Sequence, residues 1–323
     1  MPVPPWPVRR LVLAPLMVLA ELAFLLVSPV LALLAALVSP LLGSRPLRTL
    51  AIAVAFIARH LAATLRLLAM SPRDQAAHYA VMRWFVGGVY DVAMRAARAD
   101  LLVTESDAAE AVLSRRDRPL LVLSIHSGEG DSLLVLHQLL CRHDRLPRIV
   151  LHEALRMDPV IDVLGSRLPN RFVDPRGGDT EVEIAAMSRG LGAEEAVLIF
   201  PEGGNFTAER RQRGIERLER AGHHEEAEWA RRMRHVQAPR PGGALAALEA
   251  APEADVVFVA HVGFPRSFRE AWRMLPTAQT VELRLWHAAA SEVPTGHDER
   301  IDWLFGWWCT LDDWVAGRQP GTS

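Results

Sequence analysis

Apolar residues are concentrated at the start of the chain. From Leu11 to Leu42 the sequence is almost wholly apolar, and the main interruptions are Pro15, Glu21, Pro29 and Pro40. About 20 apolar residues cross a bilayer, so this run is too long for one straight span and too short for two full spans. Pro29 near its middle therefore favours a kinked or re-entrant hairpin, with a single tilted span as the alternative.

The segments that follow mix arginine with apolar residues. Leu47 to Met70 predicts a helix that lies against a membrane surface or against the next domain, and residues 74–99 continue as helix. Arginines flank the apolar run at both ends, which places both ends on the cytoplasmic side of a membrane. We therefore predict membrane-anchoring helices over residues 1–70 and a catalytic domain over residues 71–323, at the cytoplasmic face of the cell inner membrane.

From about residue 101 short apolar runs alternate with helical patterns. The runs predicted as strands are Leu101 to Glu105, Leu120 to Ile125, Arg148 to His152, Arg171 to Asp174, Ala196 to Phe200, Val256 to Val262 and Val281 to Trp286. Alternating strands and helices predict an α/β fold, with a mostly parallel central sheet flanked by helices. Ligands of such folds bind beyond the carboxyl ends of the strands.

Two of these predicted strands end at polar, glycine-rich turns. The first runs into His126-Ser-Gly-Glu-Gly-Asp131, and the second into Phe200-Pro-Glu202-Gly203-Gly. A histidine beside a carboxylate is suited to taking a proton from a hydroxyl. Residues five apart do not share a helix face, so a glycine turn must bring Asp131, near the start of the next helix, to the imidazole. For the pair taken alone, a structural capping interaction is the alternative.

Composition narrows the choice of partners. The formal net charge is −2 and the isoelectric point is about 6.6, which gives no global support to a nucleic-acid partner. Cys141 and Cys309 lack metal-ligand spacing. The charged segment from Arg210 to His235 contains His223 and His224, but a solvated helix with ion pairs is favoured over a metal site. We predict neither a metal nor a cofactor. A tryptophan-rich tail, from Trp303 to Trp314, predicts a helix packed on the core.

The two blocks resemble those of the glycerolipid acyltransferases, the 1-acylglycerol-3-phosphate O-acyltransferase family. His126 to Asp131 resembles the HxxxxD block, and Phe200 to Gly203 resembles the FPEG block, in the same order. Phe172 to Arg176 is similar to the strand that ends in an acceptor-binding arginine. Ala238 to Gly243 resembles the PR-x-x-G stretch of the eukaryotic-type, lysocardiolipin-like branch. The resemblance covers about residues 100 to 315 and implies the fold of glycerol-3-phosphate acyltransferases.

The chain departs from the family pattern near these blocks. Ile125 stands where the family usually has asparagine, and Gly204-Asn205 follows the FPEG block in place of Thr-Arg or Thr-Asn. Pro175 interrupts the arginine block, so Arg171 competes with Arg176 for its role. These departures bear on the identity of the acceptor.

The resemblance implies a role for each block. His126 would be the general base and Asp131 would orient it, while backbone N–H groups of the following turn could bind the oxyanion. Glu202 would bind the acceptor or stabilise the hydrogen-bond network, and Gly203 would allow close approach of the backbone. The arginines would pair with an acceptor phosphate through their guanidinium groups; they are Arg176 or Arg171, and Arg240.

The function so implied is that of a membrane-bound O-acyltransferase. It would move a fatty acyl group from acyl-CoA or acyl carrier protein to a lysophospholipid hydroxyl, with 1-acylglycerol-3-phosphate as the favoured acceptor and phosphatidic acid as the product. Its partners would be these substrates and the lipid bilayer. The alternatives are another lysolipid or glycolipid acceptor, an ester or thioester hydrolase that uses the same His-Asp pair, and an inactive lipid-binding protein.

Overall fold

The structure is a computed structural model that describes residues 3–128, 130–174, 178–275 and 277–318. The helices are α1 (Trp6–Leu42), α2 (Arg45–Ala69), α3 (Gln75–Ala97), α4 (Asp107–Arg115), α5 (Asp131–His137), α6 (Pro159–Arg167), α7 (Thr180–Ser188), α8 (Ala208–Arg220), α9 (His224–Arg232), α10 (Pro241–Ala250), α11 (Phe268–Met274) and α12 (His297–Ala316). The strands are β1 (Ala99–Glu105), β2 (Leu120–Ser124), β3 (Leu146–His152), β4 (Arg171–Val173), β5 (Glu195–Ile199), β6 (Asp255–Val262) and β7 (Gln279–Ala288).

The strands form a seven-stranded sheet in the order β1-β7-β6-β2-β5-β3-β4. β2 pairs in parallel with β5 and with β6, β3 pairs in parallel with β4, and β6 pairs antiparallel with β7. Every residue of β2 is buried, which explains its continuous apolar run. The predicted α/β fold with a mostly parallel sheet is confirmed. Because β2 and β5 are parallel neighbours, their carboxyl ends meet at one edge of the sheet, which brings the two blocks together.

The chain divides into two compact units. The first contains Met1–Asp100, Ile149–Asp174 and Phe268–Gln279, and the second contains the remaining segments, Leu101–Arg148, Pro175–Ser267 and Thr280–Ser323. The first unit holds the N-terminal helices, and the second holds both chemistry-bearing blocks.

In the first unit the N-terminal apolar run forms one helix. α1 continues through Pro29, and the chain reverses only at Gly43, where φ is +67°. The predicted hairpin with its bend at Pro29 is therefore wrong. A proline inside a helix removes one backbone hydrogen bond without forcing a reversal, whereas a sharp turn into α2 needs a residue that tolerates positive φ, and glycine does so without steric cost.

α1 and α2 are both long and apolar enough to cross a membrane. Their most apolar windows have mean hydropathies of 2.6 and 1.6, with 6% and 28% of the window buried. Length and composition suggest that these two helices associate with a membrane. The start of α1 is held within the first unit by two ion pairs, because Arg9 and Arg10 contact the buried carboxylate of Asp162 at 3.2 and 3.0 Å.

In the second unit α12 packs its tryptophans on the sheet. The Trp307 ring stacks on Phe258 of β6 with 4.3 Å between centroids, while Trp303 and Trp308 meet the same ring edge-on. Core packing of the tryptophan-rich tail is therefore confirmed. The charged segment before it forms two helices, α8 and α9, because Gly222 adopts a φ of +81° between them.

Candidate active site

His126 and Asp131 meet across the turn that follows β2. Nδ1 of His126 lies 3.0 Å from both carboxylate oxygens of Asp131. The N–H of Gly128, in the turn between them, donates to Oδ2 of Asp131 at 3.1 Å. Asp131 is the first residue of α5, which agrees with the prediction that it lies near the start of the helix after the turn. Because Nδ1 faces the carboxylate, Nε2 is the ring nitrogen that can accept a proton from a substrate.

Asp131 is a buried carboxylate that remains ionised. Its side chain is 0% exposed, and a second histidine, His261, places Nε2 3.5 Å from Oδ2. Burial by itself would raise the pKa of Asp131, but the hydrogen bond from His126 and the proximity of His261 outweigh burial and lower this pKa below its ordinary value. The imidazole of His126 therefore faces a negative charge that can stabilise an imidazolium.

Glu202 lies buried behind the same turn. The indole N–H of Trp308 donates to its Oε1 at 3.4 Å, and the backbone N–H groups of His126 and Gln237 face its carboxyl. Burial raises the pKa of Glu202 well above its ordinary value, and these donors offset the rise only in part. Glu202 therefore lies buried among groups of both blocks and of α12.

The two blocks are also joined directly. The N–H of Phe206 donates to the carbonyl of His126 at 2.8 Å, and the Phe200 ring packs on the His126 imidazole with 4.6 Å between centroids. The turn after β5 therefore supports the histidine from its backbone and from its ring face.

We expect Glu202→Gln to stabilise the protein increasingly as the pH rises above 4.5, the ordinary pKa of glutamate. A carboxyl whose pKa is raised in the folded state binds more protons there than in the unfolded chain, so stability falls as the pH rises through the window between the two values. Glutamine keeps the shape and does not ionise. Urea unfolding at pH 5 and pH 8 measures the difference, with the exposed Glu253→Gln as control. An equal effect of Glu202→Gln at both pH values would contradict the expectation.

Arginines surround the turn that contains Gly203. The φ of Gly203 is +70°, and a Cβ on it would lie 3.1 Å from the guanidinium carbon of Arg240. The N–H of Arg240 donates to the carbonyl of Pro201 at 2.8 Å, and its side chain is exposed. Arg210 donates to the carbonyl of Asn205 at 3.2 Å. Burial, followed by the charge of Arg240, lowers the pKa of Arg217. Positive charge therefore collects beside the FPEG turn.

Arg176 and Arg171 are the other arginines predicted to pair with an acceptor phosphate. Arg176 lies outside the described residues, and Arg171 lies in β4 of the first unit, where it donates to the carbonyl of Asn170 at 3.3 Å. The N–H of Gly128, a candidate oxyanion donor, is directed at Asp131 instead.

Sequence reasoning missed His261, Trp308 and Gln237. His261 carries a usable signal, since it is a polar residue near the carboxyl end of an otherwise apolar strand. Trp308 carries none, because one tryptophan of an aromatic helix is not distinguishable from its neighbours before packing is known. Among the described residues no group of three or more His, Cys, Asp or Glu side chains is arranged to hold a metal ion.

Comparison with known proteins assigns this site to a class. The family model described as Acyltransferase matches residues 103–260, which include both blocks. No curated protein matches the chain. Among solved structures, the chain is similar to the 1-acyl-sn-glycerophosphate (LPA) acyltransferase PlsC from Thermotoga maritima, with 13% identity and a TM-score of 0.44 over 82% of this chain and 100% of that one.

Residues 103–260 therefore form an acyltransferase domain, and the protein is an enzyme of the acyltransferase class. Both blocks that resemble those of the glycerolipid acyltransferases lie within this domain.

Proposed function

We propose that the protein transfers a fatty acyl group from an acyl thioester, acyl-CoA or acyl carrier protein, to the free hydroxyl of a lysophospholipid. The preferred acceptor is 1-acylglycerol-3-phosphate, and the product is then phosphatidic acid. The observation that carries the proposal is the His126–Asp131 contact inside the matched acyltransferase domain, with positive charge beside the neighbouring turn.

In the proposed reaction His126 acts first as general base and then as general acid. Nε2 of His126 removes the proton from the acceptor hydroxyl as its oxygen attacks the thioester carbonyl carbon. Asp131 stabilises the resulting imidazolium through Nδ1. When the tetrahedral intermediate collapses, the C–S bond breaks, and the imidazolium returns its proton to the leaving thiolate. The products are an ester and a free thiol, and the enzyme returns to its starting state.

An acceptor panel tests this function. Purified protein in detergent is supplied with a donor whose acyl chain is radiolabelled, either acyl-CoA or acylated acyl carrier protein. The acceptors, supplied in turn, are lysophosphatidic acid, other lysophospholipids and a glycolipid. We expect labelled diacyl product, with the largest kcat/KM for lysophosphatidic acid. Free fatty acid as the sole labelled product would identify a thioester hydrolase and overturn the proposal. A larger kcat/KM for an uncharged acceptor would overturn the choice of lysophosphatidic acid.

Arg240 is the proposed partner of the acceptor phosphate. Its guanidinium lies against Gly203 and is exposed, so an anionic headgroup can reach it. We expect Arg240→Gln to raise the KM for lysophosphatidic acid on the order of tenfold, since a hydrogen bond to a charged group is worth about 1.5–3 kcal/mol. The KM for the acyl donor should stay unchanged. The exposed Arg115→Gln is the matched control, and an equal rise in both KM values would contradict the assignment.

We further propose that the first unit holds the protein at the cytoplasmic face of the inner membrane. α1 supports this through its exposed apolar surface. α11 adds Phe268 and Trp272, one turn apart and 83% and 37% exposed, beside Arg269 and Arg273, a composition typical of membrane interfaces. Alkaline carbonate extraction of membranes from expressing cells tests the proposal. Recovery in the pellet is expected, and release into the supernatant would oppose insertion of α1.

A further inference from the structure

His261 lies near the carboxyl end of β6, beside the strand that leads to His126. β6 and β2 run parallel, with Val259 opposite Ser124, and the pairing continues through the N–H of Ile125, which donates to the carbonyl of Val259 at 3.1 Å. His261 and His126 each follow this last pair by two residues. Neighbouring parallel strands therefore deliver the two histidines to the same edge of the sheet, on either side of Asp131.

The surroundings of Asp131 leave a place for a third donor. Its Oδ2 lies 3.0 Å from Nδ1 of His126, 3.1 Å from the N–H of Gly128 and 3.5 Å from Nε2 of His261. The Asp131 side chain is 0% exposed and that of His261 is 1% exposed, so solvent does not supply the missing partner. A buried carboxylate is costly unless donors surround it.

Nε2 of His261 has no other use among the described residues. It is buried and makes no hydrogen bond to another described atom, and Asp131 is the carboxylate that it faces. The Phe264 ring meets the His261 ring edge-on with 6.4 Å between centroids, and it also packs against Gly130 of the turn. One aromatic side chain therefore holds both the second histidine and the turn that carries Asp131.

We propose that His261 is a positioning residue for acyl transfer, which acts by directing Nε2–H at Oδ2 of Asp131. This inference rests on the proposed function. The contact restrains rotation of the Asp131 carboxylate and keeps it aimed at Nδ1 of His126. The alignment matters most when the imidazolium forms, because the carboxylate then carries the electrostatic stabilisation of the transition state. His261 does not touch the substrate in this role.

Two substitutions at His261 separate positioning from packing. His261→Leu removes the donor and keeps an apolar side chain, whereas His261→Gln retains an N–H near the position of Nε2. We expect the leucine variant to lower kcat about tenfold, which corresponds to the loss of one hydrogen bond to a charged group. The KM values of donor and acceptor should stay unchanged. The glutamine variant should recover most of the lost kcat.

A double-mutant cycle with Asp131→Asn supplies a readout that packing alone would not change. If His261 acts through Asp131, adding His261→Leu to Asp131→Asn should lower kcat by less than about twofold, because the partner is already gone. Each kcat is divided by the folded fraction of the variant. Near-ultraviolet circular dichroism and the melting temperature give this fraction. The Gln variant keeps the test decisive if the Leu variant folds poorly.

Three outcomes would overturn the inference. They are a wild-type kcat in His261→Leu, a glutamine variant no more active than the leucine variant, and an undiminished tenfold loss in the Asp131→Asn background. Each presupposes that the unmodified protein forms diacyl product. If it forms none with any acceptor of the panel, the proposed function itself fails, and the inference falls with it.

Discussion

Replacing His126 with alanine is expected to lower kcat for acyl transfer by about 10³-fold, because a positioned general base contributes 10²–10⁴-fold. The imidazole lies at the end of a fully buried strand, and Nδ1 is held at 3.0 Å from Asp131, so Nε2 is left to take the acceptor proton. Alanine leaves no group that can accept this proton. The KM values for donor and acceptor should change little, since the proposed binding groups lie elsewhere.

Single-turnover transfer from labelled acyl-CoA to lysophosphatidic acid measures this effect. His224→Ala, which removes an exposed histidine at the start of α9, is the matched control and should keep the wild-type rate. Added imidazole should restore part of the activity of His126→Ala, because the space left by the ring can admit a free base. Product formation by His126→Ala at the wild-type rate would remove His126 from the mechanism.

Asp131→Asn is the second large effect, with an expected fall in kcat of about 10³–10⁴-fold. The amide has nearly the volume of the carboxylate but no negative charge, and it can present its NH₂ group to Nδ1. The imidazole then adopts the wrong tautomer, and the imidazolium loses its counter-charge. Exposed Asp313→Asn, in α12, is the matched control.

The same substitution is expected to change how the free energy of unfolding depends on pH. Because the hydrogen bond from His126 and the proximity of His261 outweigh burial and lower the pKa of Asp131, the carboxylate stabilises the folded state above its unfolded pKa of 3.8. That stabilisation is lost as the pH falls through the folded value. We expect acid unfolding of Asp131→Asn to lack this contribution, and to show lower stability than wild type at pH 7. Urea unfolding at pH 2.5 and pH 7 measures both, because the stabilisation is lost below pH 3.8. An equal difference in stability between the two proteins at both pH values would contradict the expectation.

Much of the sheet could be read from the sequence, because a strand buried on both faces must be apolar along its whole length. β2 and β5 are the clearest instances, and each stops where polar chemistry begins. The turn between His126 and Asp131 was also predictable, since helical geometry excludes direct contact at that spacing. Glycine is needed in this turn for space, because a Cβ on Gly128 would lie 2.7 Å from the carbonyl oxygen of Pro265. The bend in the N-terminal run was misplaced, because proline was taken as a point of reversal when only Gly43 has the required backbone conformation.

The site residues that could be predicted are close to one another in the chain or belong to one of the two sequence blocks. The contact of Trp308 with Glu202 joins residues 106 positions apart, and that of His261 with Asp131 depends on β6 lying beside β2. Hydrophobic periodicity assigns each strand its faces but says nothing about which strand is its neighbour. The arginines illustrate the same limit, since Arg240 and Arg210 reach the FPEG turn while Arg171 lies in the other unit.

The α/β class, the positions of the strands and the local pairing of His126 with Asp131 follow from short-range rules that act along the chain. These rules are the burial of apolar residues, the side-chain period of strands and helices, and the spacing that excludes a continuous helix between the pair. The other contacts of the site depend on packing between distant segments. The tertiary structure buries Glu202 among groups of both blocks and places His261 behind Asp131, because strand order and helix packing bring together residues that no local pattern relates.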